Sequence, residues 1–237
     1  MNDRIYTIRY VFRFKDGKTE QFDIPLNSQT LILLWPLNEN SPVWTRLEYK
    51  QCFCCTLKNE RFCPVAENLS KMFFRFQDMI SHQICTVSCQ TIERTYTKKT
   101  SLMQGLASVM GLVMATSRCP VMELFRPMAR FHLPFSTPEE TLVRSTSFYL
   151  LRQYFELNRH HKADLDLSKL KERYEKLQVL SEGLLARIKA LRGEDTDKNA
   201  LLAFHSMSQI ITMEINAKMQ SIAYLFPSQS KPLDLQE

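Results

Sequence analysis

The sequence predicts an α+β protein, in which a small N-terminal antiparallel or mixed sheet is followed by a C-terminal helical bundle, with a cysteine-rich metal turn between them. Three observations carry this. In residues 5–14, IYTIRYVFRF, every second residue from Tyr6 to Phe14 is apolar or aromatic. From Ser101 onward the apolar residues recur at spacings of three and four. Between these regions lies CFCCTLKNERFC, residues 52–63, with four cysteines in one short loop.

In the first strand Tyr6, Ile8, Tyr10, Phe12 and Phe14 fall on one face and Arg9 and Arg13 on the other, the period of a strand with one buried face. Asp16-Gly17 is a hairpin turn signal, and Phe22 and Ile24 give the return strand, 19–24, one apolar face. A third strand is expected over 30–35, ending at Pro36, and a loop over 37–49 delivers the chain to the cysteines. Pro64 suits the first turn of a helix over 65–81, because its missing N–H has no helical partner there anyway. One further strand is expected from Ile84 to Tyr96, rich in β-branched residues.

Ser101 is placed to cap a helix running to Thr116, one side of which carries the small residues Gly105, Ala107, Ser108, Gly111 and Ala115. Close packing of another element on that side is the expectation. Cys119-Pro120 opens a shorter helix through Met128, and Ala129–Phe135 reads as a rigid segment. Ser136 or Thr137 then caps a helix over 138–158, with Pro138 first and Glu139 and Glu140 facing its positive dipole end. After a polar connector, 159–166, Leu167, Leu170, Tyr174, Leu177, Leu184, Ile188 and Leu191 trace an amphipathic helix. Gly193 stops it, and 199–225 forms the last helix, the pair making an antiparallel hairpin. The organisation expected is 1–98 β-rich, 99–226 helical and packed on it as one structural unit, and 227–237 a flexible tail.

The chain has 237 residues, 44% hydrophobic and 24% charged, the balance of a globular protein rather than a disordered one. Its most apolar run, 102–116, is too short to span a bilayer. The N-terminus lacks a secretory pattern, so a cytoplasmic location with reduced thiols is expected. Residues 52–137 hold ten Lys or Arg against five Asp or Glu, an excess that suits an anionic partner. No basic run exceeds two residues, so a nucleic-acid partner is weakly supported. G-x-S-x-G, H-E-x-x-H, Walker and dinucleotide motifs are absent, which argues against the enzyme classes they mark.

Cys52, Cys55 and Cys63 have the spacing C-x2-C-x7-C, most of a tetrahedral zinc site. The fourth ligand is expected from Cys119, whose Cys119-Pro120 pair repeats Cys63-Pro64; Cys54, His82 and His132 are the alternatives. Cys85 and Cys89 alternate within a strand pattern and read as buried small hydrophobes. A second candidate site groups Arg94, Arg126, Arg130 and His132 as binders of an anionic small molecule.

The motifs FCPVAENL after CxxC, MATSRCP and RPMARFHLPF together resemble a family of bacterial proteins known by a domain-of-unknown-function label, over residues 45–200. The resemblance implies a cytoplasmic bacterial protein in which the cysteine turn and the 126–135 segment belong to one unit, and it implies no activity. The function expected is therefore a non-enzymatic binding or regulatory protein with structural zinc. Its partner would be another protein, or a second copy through the C-terminal helices. The alternatives are an enzyme or sensor for an anionic small molecule and a thiol redox sensor acting through Cys54 or the site cysteines.

Overall fold

A computed structural model describes residues 5–76, 79–188 and 196–227, leaving out the side chains of 196–204 and of Met207. Four strands form one antiparallel sheet: β1 (Ile5–Phe14), β2 (Thr19–Asn27), β3 (Ile84–Gln90) and β4 (Thr95–Ser101), in the order β2-β1-β3-β4. The alternation in β1 fixes its register: Tyr10 lies opposite Phe22 on β2 and Cys89 on β3. Gly17 closes the first hairpin in the left-handed region, at φ 88°, where a side chain would be strained. The second hairpin replaces the single long strand expected over 84–96. Its turn contains no Gly, Pro, Asn or Asp; instead Thr91 Oγ1 accepts the N–H groups of Glu93 and Arg94.

The third strand expected over 30–35 does not form. Leu31 takes a left-handed φ of 55°, and the segment makes only one bridge to the sheet, Leu26 with Leu33. Cys85 and Cys89 are buried in the sheet, as their alternation indicates.

Two helices cover the apolar face of the sheet: α1 (Pro64–Phe76) and α2 (Leu102–Thr116). Phe76 of α1 completes an aromatic cluster, 5.3 Å from Phe12 and 5.4 Å from Phe22. α1 is described to Phe76, and residues 79–81 are not helical, so the helix falls short of the span expected to residue 81. Ser101 Oγ accepts the Gln104 N–H to start α2, which is buried nearly all round and forms the centre of the molecule.

Past α2 a 3₁₀ turn, Pro120–Phe125, leads into the short α3 (Pro127–Arg130) and then α4 (Pro138–Asn158). Thr137 and Glu140 form a complete capping box at the start of α4. The connector to α5 (Ser168–Ile188) is pinned by Asp164, whose carboxylate accepts from Tyr149 Oη, Ser168 Oγ and the Lys169 N–H. α6 (Thr196–Asn216) packs on α2 and α5. The last helix is thus broken: Lys218 and Met219 take left-handed φ, and a 3₁₀ turn, Gln220–Leu225, follows. The expectations for Leu191, Gly193 and residues 228–237 lie outside the described residues.

No helix among the described residues is long and apolar enough to cross a membrane. The sheet and helical halves share one hydrophobic core, running from Tyr6 to Ile222.

Candidate functional site

The small side of α2 does two different things. At Gly105 it meets the sheet so closely that a Cβ would sit 2.7 Å from Phe12 Cε1 and 2.9 Å from Val87 Cγ2. Ala107, Ser108, Gly111 and Ala115 instead line a cavity of about 490 Å³, the size of a small-molecule site. The close packing expected along the whole stripe therefore holds only at Gly105. Elsewhere small side chains leave room, which α3, the 131–137 segment, α4 and α5 enclose.

Most of the wall is apolar, with Met122, Phe125, Met128, Phe135 and Leu177 facing the α2 stripe. Polar groups gather at one end. Arg144, two helical positions of the same face beyond Thr137 and Thr141, donates from Nη2 to the carbonyls of Met128 (3.2 Å) and Phe131 (3.0 Å). His132 Nε2 lies 2.5 Å from Tyr10 Oη, which lies 2.8 Å from Ser108 Oγ. Ser108 also accepts the Phe135 N–H at 3.2 Å. All of these groups are satisfied when Ser108 donates to Tyr10 and Tyr10 to Nε2, which leaves the imidazole proton on Nδ1.

The end carries a single positive charge. Burial, then the Arg144 charge, pushes His132 down to about 3, so its imidazole is neutral at physiological pH. Burial pushes Tyr174, also on the wall, up to about 12, and Tyr10 well above the usual phenol value. Arg144 is pulled down by burial but stays ionised. Among the described residues no carboxylate forms an ion pair with it. The nearest acid along its helix, Glu140, is engaged by the Thr137 N–H.

The four residues grouped from sequence as an anion site are not gathered there. Of them only His132 lines the cavity. Arg130 pairs with Glu93 at 2.7 Å and stacks over the Tyr6 ring at 4.2 Å, so its charge is already neutralised. Arg94 is exposed beside the Tyr96 hydroxyl, and Arg126 is half-buried with its Nε unpartnered. Sequence reasoning missed Arg144. The available signal was a lone basic residue on the helix face that also carries Thr141.

The cysteine loop lies against α5. Gly183 admits it: a Cβ there would sit 2.9 Å from Cys52 Cβ. Buried Arg187 clamps the neighbouring chain by donating to the carbonyls of Trp44 (2.9 Å), Arg46 (2.7 Å) and Leu47 (3.0 Å). The Cys55 N–H closes the CxxC turn onto the Cys52 carbonyl at 2.9 Å.

Cys52, Cys55, Cys63 and Cys119 are neighbours. Burial raises the Cys52 thiol, and nearby Cys54, Cys55, Cys63 and Cys119 raise it further. Burial likewise pushes Cys119 up to about 12, with Cys63 and Cys55 adding to the rise. Cys63 and Cys119 stand in the same local frame, each before a proline that opens a helical turn. Backbone N–H groups of Val65 and Ala66 favour the thiolate of Cys63, and those of Val121 and Met122 favour that of Cys119. All seven cysteines are free, and no group of three or more His, Cys, Asp or Glu among the described residues is arranged to hold a metal. Of the alternative ligands, Cys54 donates its thiol to the Lys176 carbonyl, and His82 is exposed.

A comparison with protein families matches residues 8–227 to a domain of unknown function, DUF6901. No curated protein and no solved structure matches the chain.

Proposed function

The chain belongs to the DUF6901 family, which brings no activity with it, and we propose from its own geometry that it is a non-enzymatic binding protein for a small apolar molecule. The observation that carries this is the 490 Å³ cavity beside α2, walled by apolar side chains with a few convergent polar groups at one end. The polar end is poorly suited to acid–base chemistry: a histidine held near 3 is a weak base at neutral pH, and a phenol held near 12 a weak acid. A neutral environment-sensitive naphthalene dye tests the reading. It should bind wild type saturably, one per chain, and bind Ala107→Phe more weakly, because the ring takes up part of the space. Binding that is unsaturable or equal in both proteins would refute the cavity as a site.

A second reading is structural zinc on Cys52, Cys55, Cys63 and Cys119. The matched N–H donors at Cys63 and Cys119 favour it, since such donors support thiolate ligands. Zinc would draw the loop thiols onto Cys119 and staple the loop to the helical half. Metal content per chain should be one zinc in wild type and none in Cys119→Ser; no zinc in wild type grown with zinc would end this reading. Thiol redox sensing has less support, because burial raises Cys52, Cys54, Cys63, Cys85, Cys89 and Cys119, and raised thiols react slowly.

A further inference from the structure

We infer that the cavity selects an organic anion, a carboxylate on an apolar body, with the acid group seated on Arg144 and the body lying along the small face of α2. The inference rests on the cavity being a ligand site and adds the chemical class of the ligand.

Arg144 has five N–H donors. Both hydrogens of Nη2 are spent on the carbonyls of Met128 and Phe131, which fix the plane of the group. Nε and Nη1 have no protein partner among the described residues, and neither is a sealed, unsatisfied atom. Arg144 is half-buried on the cavity wall, so these hydrogens are free for a ligand seated at that end.

Charge points the same way. An ionised group on a largely apolar wall gains from a counter-charge in contact, and Arg144 has none among the described residues, the Glu140 carboxylate acting on it only through space. His132, Tyr10 and Tyr174 around it are neutral at physiological pH, and the Glu140 carboxylate is held by the cap of α4. The polar end thus offers one positive charge with no carboxylate in contact, which matches a monoanion better than a phosphate dianion. Lys98, exposed at the rim, adds attraction during entry. The remaining wall offers methionine, leucine and phenylalanine side chains, which suit an alkyl or aromatic body and give a flexible fit.

A matched series decides the class: dodecanoate, dodecanol, methyl dodecanoate and dodecylammonium, each titrated against wild type by displacement of the neutral dye. Dodecanoate should bind at least about tenfold more tightly than the alcohol and ester, with the ammonium weakest. The preference should fall only in part in high salt, because a half-buried pair is screened less than an exposed one. In Arg144→Gln the acid should lose its advantage while the alcohol binds as before, and in Arg144→Lys part of the advantage should remain. The wild-type series stands without either variant, so misfolding of one does not rescue the inference. Equal binding of acid and alcohol by wild type, or an acid preference kept in a folded Arg144→Gln protein, overturns the anion class and leaves the cavity reading standing. Failure of the dye and all four compounds to bind overturns both.

Discussion

Replacing Arg187 by leucine removes the clamp between α5 and the cysteine loop, and the structure supports an estimate of the cost. The guanidinium donates three hydrogen bonds of 2.7–3.0 Å to the carbonyls of Trp44, Arg46 and Leu47, and the residue is 2% exposed. A hydrogen bond to a charged group is worth about 1.5–3 kcal/mol. Removing one partner of a buried charged cluster costs about 3–5 kcal/mol. Three bonds taken singly would exceed that range, but leucine regains apolar contact and water can reach part of the freed loop, so about 3–5 kcal/mol is the expected loss. That is a large share of the roughly 5–15 kcal/mol that holds a domain together. Urea unfolding followed by tryptophan fluorescence suits the question, because Trp44 supplies one of the acceptors and stacks on Phe73 at 6.0 Å. Arg187→Lys should fall between, since an ammonium keeps the charge without the planar fork. A loss under about 1 kcal/mol in Arg187→Leu, judged against the ordinary range for point mutants, would show that the loop is docked by other contacts and refute the reasoning.

Three further outcomes follow from local geometry. Gly105→Ala should lower stability by about 1–3 kcal/mol, because the new methyl meets the Phe12 ring and Val87 at under 3.0 Å; an unchanged melting temperature would contradict the close approach of α2 to the sheet. Thr137→Ala should cost about 1 kcal/mol by removing the cap of α4, measured by thermal unfolding. Burial alone would raise the Asp164 carboxyl, but hydrogen bonds led by Tyr149 outweigh it and hold the group at about 2. Since that lies below the ordinary aspartate value, its contribution is complete above about pH 4 and is lost as pH falls toward 2, so Asp164→Asn should flatten the acid limb of the stability profile.

What the sequence disclosed was local. The period of β1, the Asp16-Gly17 turn and the caps at Ser101 and Thr137 each act within a few residues, and all are found where the pattern places them. The β3–β4 turn was illegible because a threonine hydroxyl, rather than a glycine or proline, organises it. The break after α6 was hidden for a similar reason, since Lys218 and Met219 adopt left-handed backbone without a glycine to announce it.

The candidate site divides in the same way. Cys63 and Cys119 were found because each Cys-Pro pair is a contiguous motif, and the fold does bring them near each other. Arg144 was not found, because its partners, the Met128 and Phe131 carbonyls, come from another segment, and its place on the Thr141 face of the helix alone does not foretell them. Likewise the small residues of α2 foretold close approach but not its failure: only the enclosing path of 127–138 turns Ala107, Ser108 and Gly111 into a cavity floor.

On the proposal made above, the cavity beside α2 holds a small molecule by its apolar body with an acid group on Arg144. Isothermal titration of dodecanoate into wild type and Ala107→Phe tests it most directly. One saturable site per chain is expected in wild type, with a negative heat-capacity change from buried apolar surface, and clearly weaker binding in Ala107→Phe. Absence of one-to-one binding in wild type, or the same binding in both proteins, would contradict it.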